Sequence, residues 1–233
     1  VHAARSAEEK RKRAKAARDL GLSSNIVGKR TQEVKKIIMH YTAGSSSKSI
    51  LDALESESRT KPWGYHYMIG VKGDFIETCP PDYNVMHAGG AWKDSIGIGI
   101  LNFGFVRNGA NPKGFKTSDY PTASSLPSSG GSPGNQGWVQ GPKLASGAAD
   151  KQRWFEKYSA EQIETAVTLV AKLCNDYNLG VDAIETHHDN KATKSDSGPA
   201  FSADGSDGND LANFKSLVQQ RMSRSITSKI SVG

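Results

Sequence analysis

The side chains most able to do chemistry are concentrated in residues 186–199, near the end of the chain. This stretch contains two adjacent histidines, His187 and His188, together with lysine and aspartate side chains. Another histidine, His40, ends an apolar run far upstream. Imidazoles and carboxylates are protein ligands of zinc, so we interpret the stretch as one part of a metal site that His40 completes. A lone histidine at the end of a strand is more often structural, and for His40 alone that alternative stays open.

Two apolar segments would have to bring these histidines to one place. Residues 34–41 are β-branched and apolar, which predicts a buried strand with His40 near its end. Residues 160–177 carry apolar side chains at spacings of three and four, and Ser159 begins a capping box, so we predict an amphipathic helix packed on a sheet. Residues 181–186 then return toward the core and deliver the second histidine.

The other elements follow from similar patterns. Residues 95–103 read as a buried strand whose two glycines, Gly97 and Gly99, indicate that another part of the protein comes close to the backbone. The remaining predictions are strands at 63–71 and 75–77, a hairpin turn at 72–74, a loop or edge segment at 85–90, and helices at 47–54 and 211–222.

Positive charge is concentrated at the amino-terminal end. Residues 1–36 hold eleven Lys and Arg against four Asp and Glu, a net charge of +7, so the rest of the chain carries about −1. We predict a basic helical arm and linker over residues 1–32, which could bind an anionic wall polymer, a membrane, nucleic acid or a partner domain. A solvated helical linker without a partner is the alternative. No aromatic residues are interleaved with the basic ones, so there is no strong nucleic-acid signal.

With 233 residues, 36% of them hydrophobic, the chain can bury one good core. We predict one domain over residues 33–224, a loop insertion rich in Gly, Ser and Pro at 106–153, and a flexible tail at 225–233. Cys79 and Cys174 are far apart and lack the spacing of a zinc knuckle, so we expect free thiols. We also expect a monomer.

No apolar run approaches the roughly 18 residues that a membrane span needs. The first residues lack the apolar core of a signal peptide, so we expect no secretory signal. The chain begins with Val1 rather than methionine, and it could therefore be a fragment or a processed form.

Six segments occur in an order that resembles one family. They are His40–Ala43, Gly64–Tyr67, Gly73–Glu77, His87–Gly89, Ser95–Ile98 and His187–Pro199. Together they resemble the zinc-dependent N-acetylmuramoyl-L-alanine amidases, a family that includes animal peptidoglycan recognition proteins, and the pattern is most similar to phage amidase endolysins. The resemblance implies an α/β fold with a central mixed β-sheet flanked by α-helices. It also implies hydrolysis of the amide between N-acetylmuramic acid and the L-alanine of the stem peptide.

The resemblance further implies roles for particular residues. By motif, His40, His187 and Asp196 are the zinc ligands, with water in the fourth position. Tyr65 would orient that water or relay its proton, and Lys194 would stabilise the developing oxyanion. The structural alternatives are a half-buried strand aromatic for the tyrosine and a surface side chain for the lysine.

Several neighbouring residues stay open between two interpretations. His66 and His87 could line the cleft and bind substrate, or each could be a satisfied core histidine. His188 is the rival ligand to its neighbour, and Asp189 either orients a ligand histidine or only forms a turn. The chain also departs from the family pattern, because many relatives have a glutamate where this sequence has Gly99. That departure favours a mechanism that depends on the tyrosine.

Two functions from different classes fit these features. The first is a peptidoglycan amidase, expected to be a phage endolysin or virion-associated lysin that starts from the host cytoplasm or the virion and acts on the cell wall. The second is a non-catalytic peptidoglycan-recognition module that keeps the fold without the zinc. Non-catalytic relatives usually lose a ligand, and all three predicted ligands are present here, so the sequence favours the enzyme. A nucleic-acid binder ranks last for the whole protein.

Overall fold

The structure is a computed structural model, and it describes residues 26–44, 47–55, 63–102, 104, 138–140, 154–191, 194 and 210–230. The strands in these residues are β1 (Ile26–Lys29), β2 (Lys36–Tyr41), β3 (Tyr67–Ile69), β4 (Phe75–Glu77), β5 (Tyr83–Val85), β6 (Ser95–Ile100), β7 (Trp138–Gln140), β8 (Trp154–Glu156) and β9 (Ile184–Thr186). The helices are α1 (Ser47–Glu55), α2 (Ala160–Asp176), α3 (His187–Asn190) and α4 (Asp210–Ile230), with short 3-10 helices at Gly89–Lys93 and Val181–Ala183.

A five-stranded sheet in the order β4-β3-β6-β2-β9 forms the centre of the fold. Strands β3, β6, β2 and β9 are parallel, and β4 pairs antiparallel with β3 after a tight turn at Gly73. The predicted α/β fold with a central mixed sheet is therefore confirmed. Because parallel strands share one carboxyl edge, the segments that follow β2 and β9 meet there.

Strand β6 presents a different surface on each face of the sheet. Its isoleucines, Ile96, Ile98 and Ile100, belong to the large apolar core that also contains residues of α2 and α4. The alternation of a strand turns Gly97 and Gly99 to the opposite face. A Cβ at either glycine would stand 2.6 Å from a ring atom of another residue. The close approach predicted from the glycines is thus confirmed. The two glycines leave space for the ring of His87, over Gly97, and the ring of Tyr65, over Gly99.

The predicted amphipathic helix is α2, and it begins as the capping box indicates. The hydroxyl of Ser159 accepts from the backbone N–H of Gln162, whose side chain accepts in return from Ser159 N. Val167 and Val170 of this helix and Phe214 of α4 are buried in the same apolar core as the isoleucines of β6. Each such side chain contributes roughly 1.5–3 kcal/mol by leaving water, so this face supports the sheet that carries the histidines.

Three segments contain secondary structure that the sequence did not predict. Residues Ile26–Lys29, expected to be linker, form a strand paired with β5, because Ile26 buries its side chain beside Val85. Strand β7, which lies within the predicted 106–153 insertion, pairs antiparallel with β8, which follows that insertion. Helix α4 continues through residues 225–230 of the predicted tail, where the sequence has no Gly or Pro to end it. The predicted arm helix, within residues 1–25, lies outside the described residues.

Both cysteines are free, as predicted, and both are buried. Across the described ranges, none of the helices combines the length and apolar character that crossing a membrane would require.

Candidate metal centre and active site

Two of the predicted metal ligands, His40 and His187, meet at the carboxyl ends of neighbouring strands. Strand β9 pairs with β2 so that Thr186 lies opposite Met39, and each histidine is the next residue in its chain segment. Their ring centroids are 4.7 Å apart, and both side chains are buried. The parallel register therefore brings together two imidazoles that are far apart in sequence.

A reciprocal cap holds His187 at the start of α3. The carboxylate of Asp189 accepts from the backbone N–H and the hydroxyl of Thr186, at 2.7 and 2.8 Å. The hydroxyl of Thr186 accepts in turn from Asp189 N at 3.1 Å. Asp189 thus stabilises the turn that presents the histidine, which favours the turn-forming alternative over direct contact with a ligand ring.

His188 bonds to the following loop. Its Nδ1 lies 2.6 Å from the carbonyl oxygen of Lys194, which can only accept, so Nδ1 carries the proton. The same loop is closed by a bond from Lys194 N to Lys191 O at 2.8 Å. The side chain of Lys194 is exposed. Asp196, the third predicted ligand, lies outside the described residues, and those described contain no group of three His, Cys, Asp or Glu that could hold a metal ion.

Tyr65 lies beside the two histidines. Its side chain is buried, and its ring centroid is 5.3 Å from that of His40. The ring covers Gly99, where a Cβ would stand 2.6 Å from Cδ2 and 2.9 Å from Cγ. A glutamate at this position and Tyr65 in its present position would therefore exclude one another. Trp63 packs edge-on against the outer side of the tyrosine ring, at 5.6 Å.

His87 occupies the other side of His40. Its Nδ1 lies 3.1 Å from Nε2 of His40, and the two rings are nearly perpendicular. The ring covers Gly97, where a Cβ would stand 2.6 Å from Cγ. Burial, followed by the nearby histidines, holds the pKa of His87 well below its usual range. His87 is therefore in direct contact with a predicted ligand through Nδ1.

Residues 30–199, which include this whole group, match the sequence profile of the N-acetylmuramoyl-L-alanine amidases. The chain belongs to that family. The family predicted from the six segments is thus confirmed. No curated protein sequence matches the amidase significantly.

Solved structures with low identity share the fold of the amidase. A selenomethionine derivative of AmpD has a TM-score of 0.52 and 13% identity, over 84% of this chain and 91% of that one. The N-acetylmuramyl-L-alanine amidase AmiD from E. coli has a TM-score of 0.50 and 18% identity, over 82% of this chain and 66% of that one.

The residues of the amidase fit a zinc ion in their chemistry. His40 and His187 offer imidazole nitrogens from two adjacent strands, and imidazole is a preferred zinc ligand. The predicted carboxylate ligand follows two residues after Lys194, whose carbonyl is held by His188. This donor set is of the kind that catalytic zinc sites use, with a position left for water.

His66 is placed differently from the other histidines of the amidase. It is wholly buried, its Nδ1 accepts from Gly97 N at 2.9 Å, and its Nε2 lies 3.0 Å from Tyr83 O. Burial, and then the positive charge of Arg30, lowers the pKa of His66 to about 3. Both ring nitrogens are thus occupied within the protein, which favours the core alternative over substrate binding.

Two residues without a predicted role, Arg30 and Ser95, complete the surroundings. Arg30 donates to the carbonyl oxygens of Pro81, Lys93 and Ser95 at 2.7–3.0 Å, which joins the end of β1 to the start of β6. Ser95 donates to Ala91 O and contacts His87. These partners are mostly backbone carbonyls, and those of Arg30 lie more than 50 residues away, so no local sequence signal could have identified it.

Proposed function

We propose that this amidase is a zinc-dependent peptidoglycan hydrolase that cleaves the amide between N-acetylmuramic acid and the L-alanine of the stem peptide. The observation that carries the proposal is that the ring centroids of His40 and His187 lie 4.7 Å apart, with the ring centroid of Tyr65 5.3 Å from that of His40. The family match over residues 30–199 supports the reaction class.

His40, His187 and Asp196 would hold the metal. A bound zinc ion would supply a Lewis acid for the amide carbonyl and would lower the pKa of water toward neutrality. The tight cap at Thr186 keeps one imidazole in place, and strand β2 keeps the other. The chain thus contributes two of the three proposed ligands from the described strand β2 and helix α3.

Tyr65 and Lys194 would carry the remaining chemistry. The phenol can both donate and accept a hydrogen bond, so it would orient the attacking water and pass a proton toward the nitrogen of the departing L-alanine. The ammonium of Lys194 would donate to the oxyanion that develops on the amide oxygen, and one such donor is worth roughly 2.7–4 kcal/mol of the barrier. Gly99 provides no carboxylate to replace the tyrosine.

The setting of the reaction is part of the proposal. The motif pattern supports a phage endolysin or virion-associated lysin that acts on the cell wall. AmiD has been solved with anhydro-N-acetylmuramic acid-L-Ala-D-gamma-Glu-L-Lys, which supports a muramyl peptide as the substrate class here. We further propose that the protein acts as a monomer and that the basic residues 1–32 contact an anionic wall polymer, a membrane or a partner domain.

The test combines metal analysis with product analysis. Purified protein is assayed for bound zinc and for release of new L-alanine amino termini from peptidoglycan, before and after treatment with a chelator. We expect release that is lost with the chelator and restored by zinc. Release of reducing sugars without new amino groups would identify a glycosidase and overturn the proposal.

One observation favours the second candidate, a non-catalytic recognition module. Position 99 is a glycine where many members of the family carry a glutamate, so a carboxylate is absent at that point. A protein of that kind would bind muropeptides but would release no amino termini with zinc present. Titration of a soluble muropeptide, followed by product analysis of the same sample, separates the two functions.

A further inference from the structure

A chain of hydrogen bonds runs from the backbone to His40 through two side chains. Ser95 Oγ lies 2.5 Å from the carbonyl oxygen of Ala91, and His87 Nε2 lies 3.2 Å from Ser95 Oγ. His87 Nδ1 then lies 3.1 Å from His40 Nε2. Three successive contacts thus connect the short 3-10 helix before β6 to a predicted metal ligand.

The direction of every bond in this chain is determined at its backbone end. A carbonyl oxygen can only accept, so the single hydroxyl proton of Ser95 must point at Ala91 O. Ser95 Oγ can then only accept from His87, which places a proton on Nε2 of that ring. In a neutral imidazole, the ordinary form of histidine above about pH 6.5, a proton on Nε2 leaves a lone pair on Nδ1, and this lone pair accepts from Nε2–H of His40. The proton on the ligand histidine is therefore at Nε2.

We propose that His87 is a positioning residue that fixes His40 as the tautomer protonated on Nε2, with Ser95 and the Ala91 carbonyl setting the direction. This inference rests on the proposed function, in which His40 is a zinc ligand. A neutral imidazole with its proton on Nε2 has its remaining lone pair on Nδ1. That atom is the one that would bind the metal. Metal-binding histidines usually donate their other N–H to a polar partner, and here the partner is another histidine.

The packing of the His87 ring against strand β6 also supports this role. The ring rests on Gly97, where any Cβ would stand 2.6–2.9 Å from Cγ, Nδ1 and Cδ2. Ser95 is wholly buried at the start of the same strand. Strand β6 therefore provides both the space for the ring and the hydroxyl that orients it.

The first measurement reads the tautomer directly, without metal. The chain has six histidines, so ¹⁵N-histidine labelling with long-range ¹H–¹⁵N correlation, assigned by single substitutions, resolves each ring. In zinc-free wild type we expect both His40 and His87 with the proton on Nε2. In Ser95→Ala and His87→Leu, the His40 signals should move toward a mixture of tautomers. Unchanged His40 signals in both variants would overturn the proposal.

The second measurement is zinc affinity by chelator competition. His87→Leu should weaken zinc binding roughly 10–100-fold, the usual loss for a residue that supports a metal ligand. His87→Asn keeps an acceptor near the position of Nδ1 and should restore most of the affinity. Thr165→Val is the matched control, because it removes another hydroxyl that donates to a backbone carbonyl, at Gly73. It should leave affinity unchanged.

The outcomes separate this inference from the proposed function. If wild type binds no zinc but His40 shows the Nε2–H tautomer, the proposed function fails and the hydrogen-bond chain stands. If wild type binds zinc and His87→Leu, folded by circular dichroism, binds it equally well, the positioning role is refuted. A zinc-induced shift at Nδ1 of His87 instead of Nδ1 of His40 would make His87 a ligand and would also overturn the inference.

Discussion

Two neighbouring histidines, His66 and His87, both contact Gly97, but they have different roles. The backbone N–H of Gly97 donates to Nδ1 of His66, whereas the ring of His87 lies over the space where a Cβ would be. Their ring centroids are 5.8 Å apart. In both rings the hydrogen-bond partners place a proton on Nε2.

The difference lies in where the remaining contacts lead. The Nε2–H of His66 ends at Tyr83 O, beside the guanidinium of Arg30, so its network is closed within the protein. The Nδ1 of His87 faces His40 and so opens into the candidate metal centre. Burial and a proton on Nε2 are therefore shared by the two histidines, and the partner of the second nitrogen separates a structural role from a functional one.

The largest expected effect comes from the predicted metal ligands themselves. His187→Ala should abolish zinc binding and reduce hydrolysis to background, because an imidazole of the metal site is lost. His188→Ala is the matched control, since its ring bonds to Lys194 O instead. It should retain zinc. Metal content per protein and release of amino termini measure both effects, and zinc loss only in the His188 variant would exchange the two assignments.

The next effect separates metal binding from catalysis. Tyr65→Phe and Lys194→Ala should each retain zinc and lower kcat roughly 10²–10³-fold, since each removes one polar group from the reacting atoms. Tyr65→Phe keeps the ring that rests on Gly99. Full activity in either variant would remove that residue from the mechanism, and loss of zinc would show that its role is structural.

The two glycines of β6 provide a paired test of smaller size. Gly97→Ala leaves the backbone N–H that serves His66 but displaces the ring of His87, so zinc affinity should fall within the roughly 10–100-fold range. Gly99→Ala displaces the ring of Tyr65 and should lower kcat roughly 10²-fold, as a shift of about 1 Å can do, with zinc retained. The same loss in both variants would mean that the rings act through one common distortion.

Much of this arrangement could be predicted from the sequence, because it depends on patterns within short segments. The capping box at Ser159 and the apolar period after it placed α2, and the Gly97 and Gly99 alternation indicated a close approach on one face of β6. Motif order supplied His40 and His187. Each of these signals lies within one short segment or in the order of the segments along the chain.

The other features depend on the register between strands and on pairing between segments that are far apart in sequence. The contact of His40 with His87 spans 47 residues and exists because β2 and β6 pair with His40 opposite Gly99. Strand β1 was missed because its four residues are stabilised by pairing with β5, more than 50 residues on. A sequence shows which side chains can act, but the distinction between His66 and His87 follows only from the partners of their nitrogens.

The last prediction concerns stability and should affect catalysis least. It tests the hydrogen bonds of His66 through the pH dependence of the free energy of unfolding. The pKa of His66 is about 3 in the folded protein, below the ordinary 6.5. Its stabilising contribution is thus complete above pH 6.5 and is lost as pH falls toward 3, by at most about 1.4 kcal/mol per pH unit. His66→Asn keeps an acceptor for Gly97 N but cannot titrate.

We therefore expect His66→Asn to be less stable than wild type at pH 7, by roughly 0.5–1.5 kcal/mol for the lost bond to Tyr83 O. The difference should shrink or reverse by pH 4, because only wild type must keep a buried histidine uncharged there. Urea unfolding at pH 7, 6, 5 and 4 measures it, and carboxylates common to both proteins cancel. If the free energies of unfolding of the two proteins changed equally with pH, His66 would be able to take up a proton in the folded state. The assignment of His66 to a purely structural role would then be wrong.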